Sequence, residues 1–275
     1  DEIVFTSSGT ESNNLAILGV AKANIARGRH IITSKIEHPS VINACRSLEK
    51  EGWKITYLPV DQNGLVSELD LKKSLKKDTV LVSINLANSE LGVIQNIRPL
   101  AQLARKNSSY FHTDACQATT FLELDVEKLG VDLLTFNGSK AYGPRGIATL
   151  LIKQGVQIFP TIFGGGQQKS LRSGTENLQA ITGLAKVCEI VIDQRLSDYK
   201  KVEKQRDRLQ KFLQELGCTI NVKDSPRLPN HLSVIVPTKS TNLVADLDSL
   251  GLAVSSGSAC SSNSATESHV LSSIG

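Results

Sequence analysis

Thr79-Val80-Leu81-Val82-Ser83-Ile84 is an apolar, largely β-branched run, residues 98–106 follow it with helical spacing, and Tyr110-Phe111-His112-Thr113 is a second apolar run. Strand, helix and strand in this order form the crossover unit that joins parallel strands, because a tight hairpin can only return the chain antiparallel. The alternation extends outward on both sides. Strand-like runs lie at 30–33, 54–58, 132–136 and 148–153, and helix-period stretches at 11–27, 41–50 and 67–76. The expected fold is α/β, a mainly parallel sheet with helices on both faces. From residue 176 the pattern changes to two long helical stretches over 176–216, the second heavily charged, then short strands at 219–222 and 232–236 and a helix near 243–250. A large domain is therefore expected over 1–192 and a smaller α+β domain over 193–275. Residues 255–268 contain seven serines and read as a loop.

Composition narrows the function classes. Lys+Arg number 31 against 27 Asp+Glu, a net charge of +4 spread over 275 residues, and aromatic residues make up only 4%. The lysines gather on helix-like stretches at 71–77 and 199–211, which reads as a solvated face and not as a nucleic-acid footprint. No apolar run approaches the ~18 residues of a membrane span, and the opening residues do not read as a signal peptide. The five cysteines, Cys45, Cys116, Cys188, Cys218 and Cys260, are odd in number and form no CxxC pair. That usage fits a reduced, cytoplasmic chain without a disulfide framework or zinc site. The chain has no Met and opens on an apolar strand, so it reads as a fragment.

Open parallel sheets bind ligands beyond the carboxyl ends of their strands, and the chemistry in this sequence gathers there. Thr6-Ser7-Ser8-Gly9-Thr10-Glu11-Ser12-Asn13 joins an apolar strand to a helix. The free N–H groups of the helix start, with the Thr10 hydroxyl, make a phosphate cradle; the plainer reading is an N-cap at Ser8 or Thr10. Asp114 ends the strand 110–113 and offers a carboxylate to a cationic ring nitrogen such as the pyridinium of pyridoxal phosphate, or simply caps the next turn. Lys140 follows the strand 132–136 and precedes Gly143-Pro144, so it is not on a solvated helix face; an apolar, constrained lysine can act as a Schiff-base amine. With the glycine-rich Gly164-Gly165-Gly166, these features point together to one cofactor.

At this point the residues carry a family resemblance. Ser8-Gly9-Thr10-Glu11-Ser12-Asn13, Glu37-His38, Asn88-Ser89-Glu90-Leu91-Gly92, Asp114-Ala115-Cys116-Gln117, Lys140-Ala141-Tyr142-Gly143-Pro144, Arg172-Ser173-Gly174-Thr175 and Ser255-Ser256-Gly257-Ser258-Ala259-Cys260 stand in the order found in the cysteine desulfurases, class V members of the fold-type I pyridoxal-phosphate enzymes. The last motif resembles the subgroup that serves nitrogen fixation and general iron-sulfur assembly. The resemblance implies pyridoxal 5'-phosphate held through the Lys140 amine, Asp114 paired with its pyridine nitrogen and Gln117 with its phenolic oxygen. His38 would lie on the ring and assist proton transfers, Asn88 would fix ring and substrate, and Gly9, Thr10, Asn137 and Ser139 would surround the phosphate. Thr175 would reach the phosphate of the other subunit in a homodimer.

Cys260 would be the nucleophile that takes sulfur from L-cysteine as a persulfide, leaving alanine, and passes it to an iron-sulfur scaffold or another acceptor protein. It is also the candidate ligand of a transient iron-sulfur cluster. Neither nucleic acid nor membrane is implied as a partner. A class V aminotransferase, a selenocysteine lyase and a non-catalytic assembly scaffold share the same core and remain alternatives. Family members usually carry Ser-x-His before the lysine, whereas Asn137-Gly138-Ser139 stand here. The family's opening strand and its carboxylate-binding C-terminal arginine fall outside the 275 residues. Without the resemblance, His38 before Pro39 reads as a helix-capping neighbour, Arg172 as an interface or structural residue, and Cys45, Cys116, Cys188 and Cys218 as packing thiols.

Overall fold

The apolar runs become strands because each is apolar toward two helix layers at once. The computed structural model describes residues 2–240, 242–256 and 268–275. Among them, seven strands make one sheet: β1 (Ile3–Thr6), β2 (His30–Ser34), β3 (Lys54–Leu58), β4 (Thr79–Ser83), β5 (Tyr110–Asp114), β6 (Leu133–Asn137) and β7 (Ala148–Ile152), in the order β1-β7-β6-β5-β4-β2-β3. The pairs β2–β3, β2–β4, β4–β5 and β5–β6 are parallel; β7 alone runs against both its neighbours. The sheet is thus mainly parallel, as the crossover pattern predicts.

Four helices cover it, two on each face: α1 (Gly9–Ala23), α2 (Pro39–Lys50), α3 (Glu68–Ser74) and α4 (Ile97–Lys106). Successive strand residues point to opposite faces, so each strand serves two cores. Ile31, Leu81 and Leu133 pack with Leu15, Ile17 and Val20 of α1 and with Val41 and Leu48 of α2. Their chain neighbours Ile32, Val82 and Leu134 pack with Leu71 of α3 and with Ile97, Leu100 and Ala104 of α4. Ser8 caps α1 and Ser67 caps α3, each accepting a hydrogen bond from an N–H of the first turn.

Beyond a short helix, α5 (Val126–Leu129), the second half of the chain departs from expectation in two places. The two helical stretches anticipated over 176–216 are one helix, α6 (Leu178–Glu215), of 38 residues. Neither Gly nor Pro occurs in 184–216, so nothing breaks the hydrogen-bond ladder, and residue 193, the expected start of a second domain, lies inside it. The strands anticipated at 219–222 and 232–236 shrink to β8 (Thr219–Ile220) and β9 (Val234–Ile235), an antiparallel pair. Val222 takes a left-handed backbone with φ 47°, which turns the chain out of the strand. The helix expected near 243–250 is α7 (Leu243–Ser249), and α8 (Leu271–Ile274) follows close to residue 275. No helix among the described residues is long and apolar enough to cross a membrane.

Phe111 on β5 is fully buried in the core shared with α4. Phe111→Ala should cost ~3–5 kcal/mol, read as a lower urea midpoint at unchanged slope.

Candidate active site

Five of the parallel strands end on the same side of the sheet, and the segments that leave them enclose one cavity of about 360 Å³. Ser8, Gly9, Thr10 and Asn13 reach it from the end of β1, Ile36, His38 and Ser40 from β2, and Asn85, Ala87, Asn88 and Ser89 from β4. Asp114, Cys116 and Gln117 follow from β5, and Asn137 and Lys140 from β6. The cavity spans the gap between β2 and β4, where strand order reverses and an open sheet leaves a crevice.

The helix start is capped as one of the two readings has it, and it lines the cavity. Ser8 Oγ accepts from the Glu11 N–H at 3.2 Å as the N-cap, while the N–H groups of Gly9 and Thr10, on the cavity wall, have no carbonyl one turn back. A Cβ on Gly9 would lie 2.6 Å from Cys116 Sγ, so only glycine lets α1 settle this close to the end of β5. Glu11 is held from two sides, accepting from the Ser7 N–H at 2.8 Å and from Arg172 Nε at 2.8 Å. Burial raises its pKa, but the Arg172 and Ser7 hydrogen bonds outweigh burial and the carboxyl sits below its usual range. Arg172 is thereby a structural clamp on the helix start.

Asp114 is 7% exposed. Its Oδ1 accepts the Cys116 N–H at 2.9 Å and its Oδ2 accepts Asn13 Nδ2 at 2.7 Å. Both the capping turn and the carboxylate at the ligand edge are therefore real. Cys116 is buried, and burial, then the charge of Asp114, push its thiol pKa well up, as suits a packing residue. Cys45 and Cys218 are buried as well, while Cys188 is half-buried.

His38 likewise caps α2 and lines the cavity: its Nδ1 accepts the Ser40 N–H at 3.1 Å. Burial lowers its pKa, Lys140 and His269 lower it further, and Asp114 opposes them. Asn88 spends most of its amide on the backbone, with Oδ1 accepting from the Glu90 and Leu91 N–H groups and Nδ2 donating to Ile36 O, so one N–H is left for a ligand.

Lys140 corrects one expectation. It sits in a short 3-10 turn at Ser139–Ala141, exposed at the rim and among polar groups, where an apolar setting was anticipated. The tight Gly138 turn lifts it out of the sheet's core. Ser139 is exposed and donates to Asn137 Oδ1 at 3.2 Å; it does not line the cavity, and neither does Thr175, which is exposed. Cys260 lies outside the described residues, although Ser255 reaches the cavity wall. Among the described residues no cluster of His, Cys, Asp and Glu is placed to hold a metal.

Sequence reasoning missed His231, which lines the cavity from the loop between β8 and β9. Gly92 explains its position: with φ +73° and a Cβ that would lie 2.3 Å from His231 Cβ, it admits the loop against the segment after β4. No local signal marks His231, because the contact spans more than 130 residues of sequence. Ser40 was missed for a similar reason, its neighbours Asn13 and His38 meeting it only in three dimensions.

A helix N-terminus, a carboxylate at a strand end and an amine on one wall fit a phosphate, a basic ring nitrogen and a carbonyl, the three handles of pyridoxal phosphate. The architecture is the α/β fold of the pyridoxal-phosphate enzymes. The chain belongs to the class-V aminotransferase family, whose sequence profile matches residues 1–274. It is 46% identical over 280 residues to the cysteine desulfurase IscS of Dictyoglomus turgidum and 43% identical over 277 residues to that of Methanosarcina thermophila, spanning 100% of this chain and 70% and 69% of those proteins. Among solved structures, a NifS-like protein superposes with a TM-score of 0.92 at 37% identity, covering 99% of this chain and 73% of the other. SspA in complex with cysteine gives 0.85 at 35% identity, covering 100% and 77%.

Glu37, the residue before His38, is 1% exposed, and its Oε1 accepts from Ser34 Oγ at 2.5 Å and the Asn85 N–H at 3.0 Å, while Oε2 has no partner. Burial pushes its pKa up to about 8. A raised folded pKa means that the native state holds the proton where the unfolded chain has released it, so this site's contribution is full at acid pH and is lost as pH rises toward about 8. Glu37→Gln, which mimics the protonated acid, should flatten the fall in Tm between about pH 5 and pH 8 measured by scanning calorimetry.

Proposed function

We propose that the protein is a pyridoxal-phosphate-dependent cysteine desulfurase that takes sulfur from L-cysteine, leaves L-alanine and feeds iron-sulfur assembly. The observation that carries the reading is the meeting of Lys140, Asp114, His38 and the α1 N-terminus around one cavity. The desulfurase names of its relatives and the cysteine complex of a structural neighbour support the choice of substrate.

When bound, pyridoxal phosphate supplies an electron sink for the substrate's α-carbon. The N–H groups of Gly9 and Thr10 hold its phosphate with Asn137, Asp114 holds a proton at its ring nitrogen, and Gln117 and the spare N–H of Asn88 complete the polar contacts. Lys140 Nζ anchors the group and moves the substrate's α-proton, with His38 as a second proton-transfer residue. Cys260 Sγ, as thiolate, receives the sulfur: the C–S bond of cysteine breaks, an S–S bond forms, and the carbon takes a proton. Cysteine plus thiol thus become alanine plus persulfide, with atoms and electrons balanced. The persulfide passes to an iron-sulfur scaffold or another acceptor, and Cys260 is the ligand of any transient cluster. The enzyme acts as a homodimer, in which exposed Thr175 serves the partner's site and exposed Tyr142, Phe163 and Leu178 give apolar area for contact. The unpaired thiols of Cys45, Cys116, Cys188 and Cys218 suit a reducing, cytoplasmic setting.

The full chain with pyridoxal phosphate and a reductant should convert L-cysteine to alanine and sulfide. Lys140→Ala should lose the borohydride-trapped cofactor and ~10²-fold or more of the activity. Cys260→Ala should keep the cofactor's absorption band yet release no sulfide. Transamination of a keto acid at an unchanged rate in Cys260→Ser would identify an aminotransferase instead, and the lack of any cofactor band a scaffold.

A further inference from the structure

Asn13 on α1 and, at the start of α2, Ser40 and His38 form an unbroken chain from Asp114. Asn13 Nδ2 is 2.7 Å from Asp114 Oδ2 and 2.9 Å from Ser40 Oγ, and Ser40 Oγ is 2.7 Å from His38 Nδ1. The direction of every bond follows from the two ends. The Ser40 backbone N–H, 3.1 Å from His38 Nδ1, can only donate, so Nδ1 carries no proton. Ser40 Oγ at the same nitrogen must then donate its hydrogen there and accept from Asn13. At the far end, a carboxylate oxygen accepts, so the Asn13 amide turns its nitrogen to Asp114 and spends one N–H on each neighbour. The cost is visible, for Asn13 Oδ1 is buried without a partner.

We propose that Asn13 and Ser40 are positioning residues that hold His38 with Nδ1 as acceptor and its proton on Nε2, coupling the orientation of the imidazole to Asp114. The proposal rests on the desulfurase reading only for its consequence, that His38 meets the occupant of the cavity as an N–H donor. Protonating Nδ1 would forfeit the hydrogen bond from the Ser40 N–H and reverse the one with the Ser40 hydroxyl, so the imidazolium is disfavoured by geometry. The charged groups around the ring act on the same balance: Lys140 from the turn after β6 and His269 from the segment before α8 disfavour the cation, and Asp114 from β5 favours it. His269 is itself held there, its Nε2 2.9 Å from the Glu37 carbonyl oxygen. The side chain of Glu37 is engaged elsewhere, with Ser34 and Asn85.

The test is nitrogen NMR of the ¹⁵N-labelled full chain, with and without pyridoxal phosphate, through a pH titration. Wild-type His38 should show the Nε2–H tautomer and titrate below an ordinary histidine. Ser40→Ala removes the hydroxyl and keeps the backbone donor; the His38 midpoint should rise by roughly half to one pH unit and the tautomers should mix. Ser40→Thr should restore the wild-type signature. Asn13→Ala should shift His38 in the same direction, and should add nothing in a Ser40→Ala background if it acts through that hydroxyl. In the loaded enzyme the acid limb of kcat should move with the NMR midpoint. An Nδ1–H tautomer in the wild type, or a His38 titration unchanged in folded Ser40→Ala, overturns the proposal, and the first of these needs no variant to fold. Absence of sulfide release with the tautomer shifts intact would instead overturn the desulfurase reading.

Discussion

The packing of α1 across the sheet is the constraint on which the site depends. Leu15, Ile17 and Val20 are fully buried against Leu81, Leu133 and Leu150, so the helix cannot slide, and its N-terminus stops where β5 and β6 end. The gap that remains is closed by Cys116 against Gly9. With the helix placed, its unpaired N–H groups face the cavity and Asn13, one turn in, meets Asp114. A cavity rich in polar groups is sustainable only because this frame beneath it is apolar and closely packed.

Above that frame the polar groups are organised by double use. Ser8 and His38 each cap a helix while lining the cavity. Asp114 holds a turn through Oδ1 and an amide through Oδ2. Capping interactions are local and fix a side chain within one turn of the backbone, so each gives a reactive group an orientation before any ligand arrives. Capping a helix or turn and lining the cavity, which sequence reasoning sets against each other as alternatives, are here one arrangement.

The wall opposite is assembled from later parts of the chain. His231 sits against Gly92, and Val222 and Val270 join Ile36, Leu91 and Val93 in a small separate core. Ser268 Oγ donates to Glu90 Oε2 and His269 reaches the Glu37 carbonyl. Ser255 lines the cavity, and Ser268 is bonded to Glu90, the neighbour of the cavity residue Ser89.

The sequence by itself determined the layers and pointed to several of the residues that line the cavity. Period-two strands doubly covered by helices announce themselves as continuous apolar runs, and six of the seven sheet strands were legible that way, while the seventh, β1, was recognised as the apolar opening of the chain. Asp114 and Lys140 stood out because a charge directly after a buried strand has few places to go. Only the tertiary structure decided the exposed setting of Lys140 and the arrival of His231 and Ser40 at the cavity. The reason is the range of the forces involved. Periodicity and capping act within a few residues and leave a local trace, whereas the Asn13–Ser40–His38 chain joins groups 27 and two residues apart, and His231 arrives through a glycine contact more distant still.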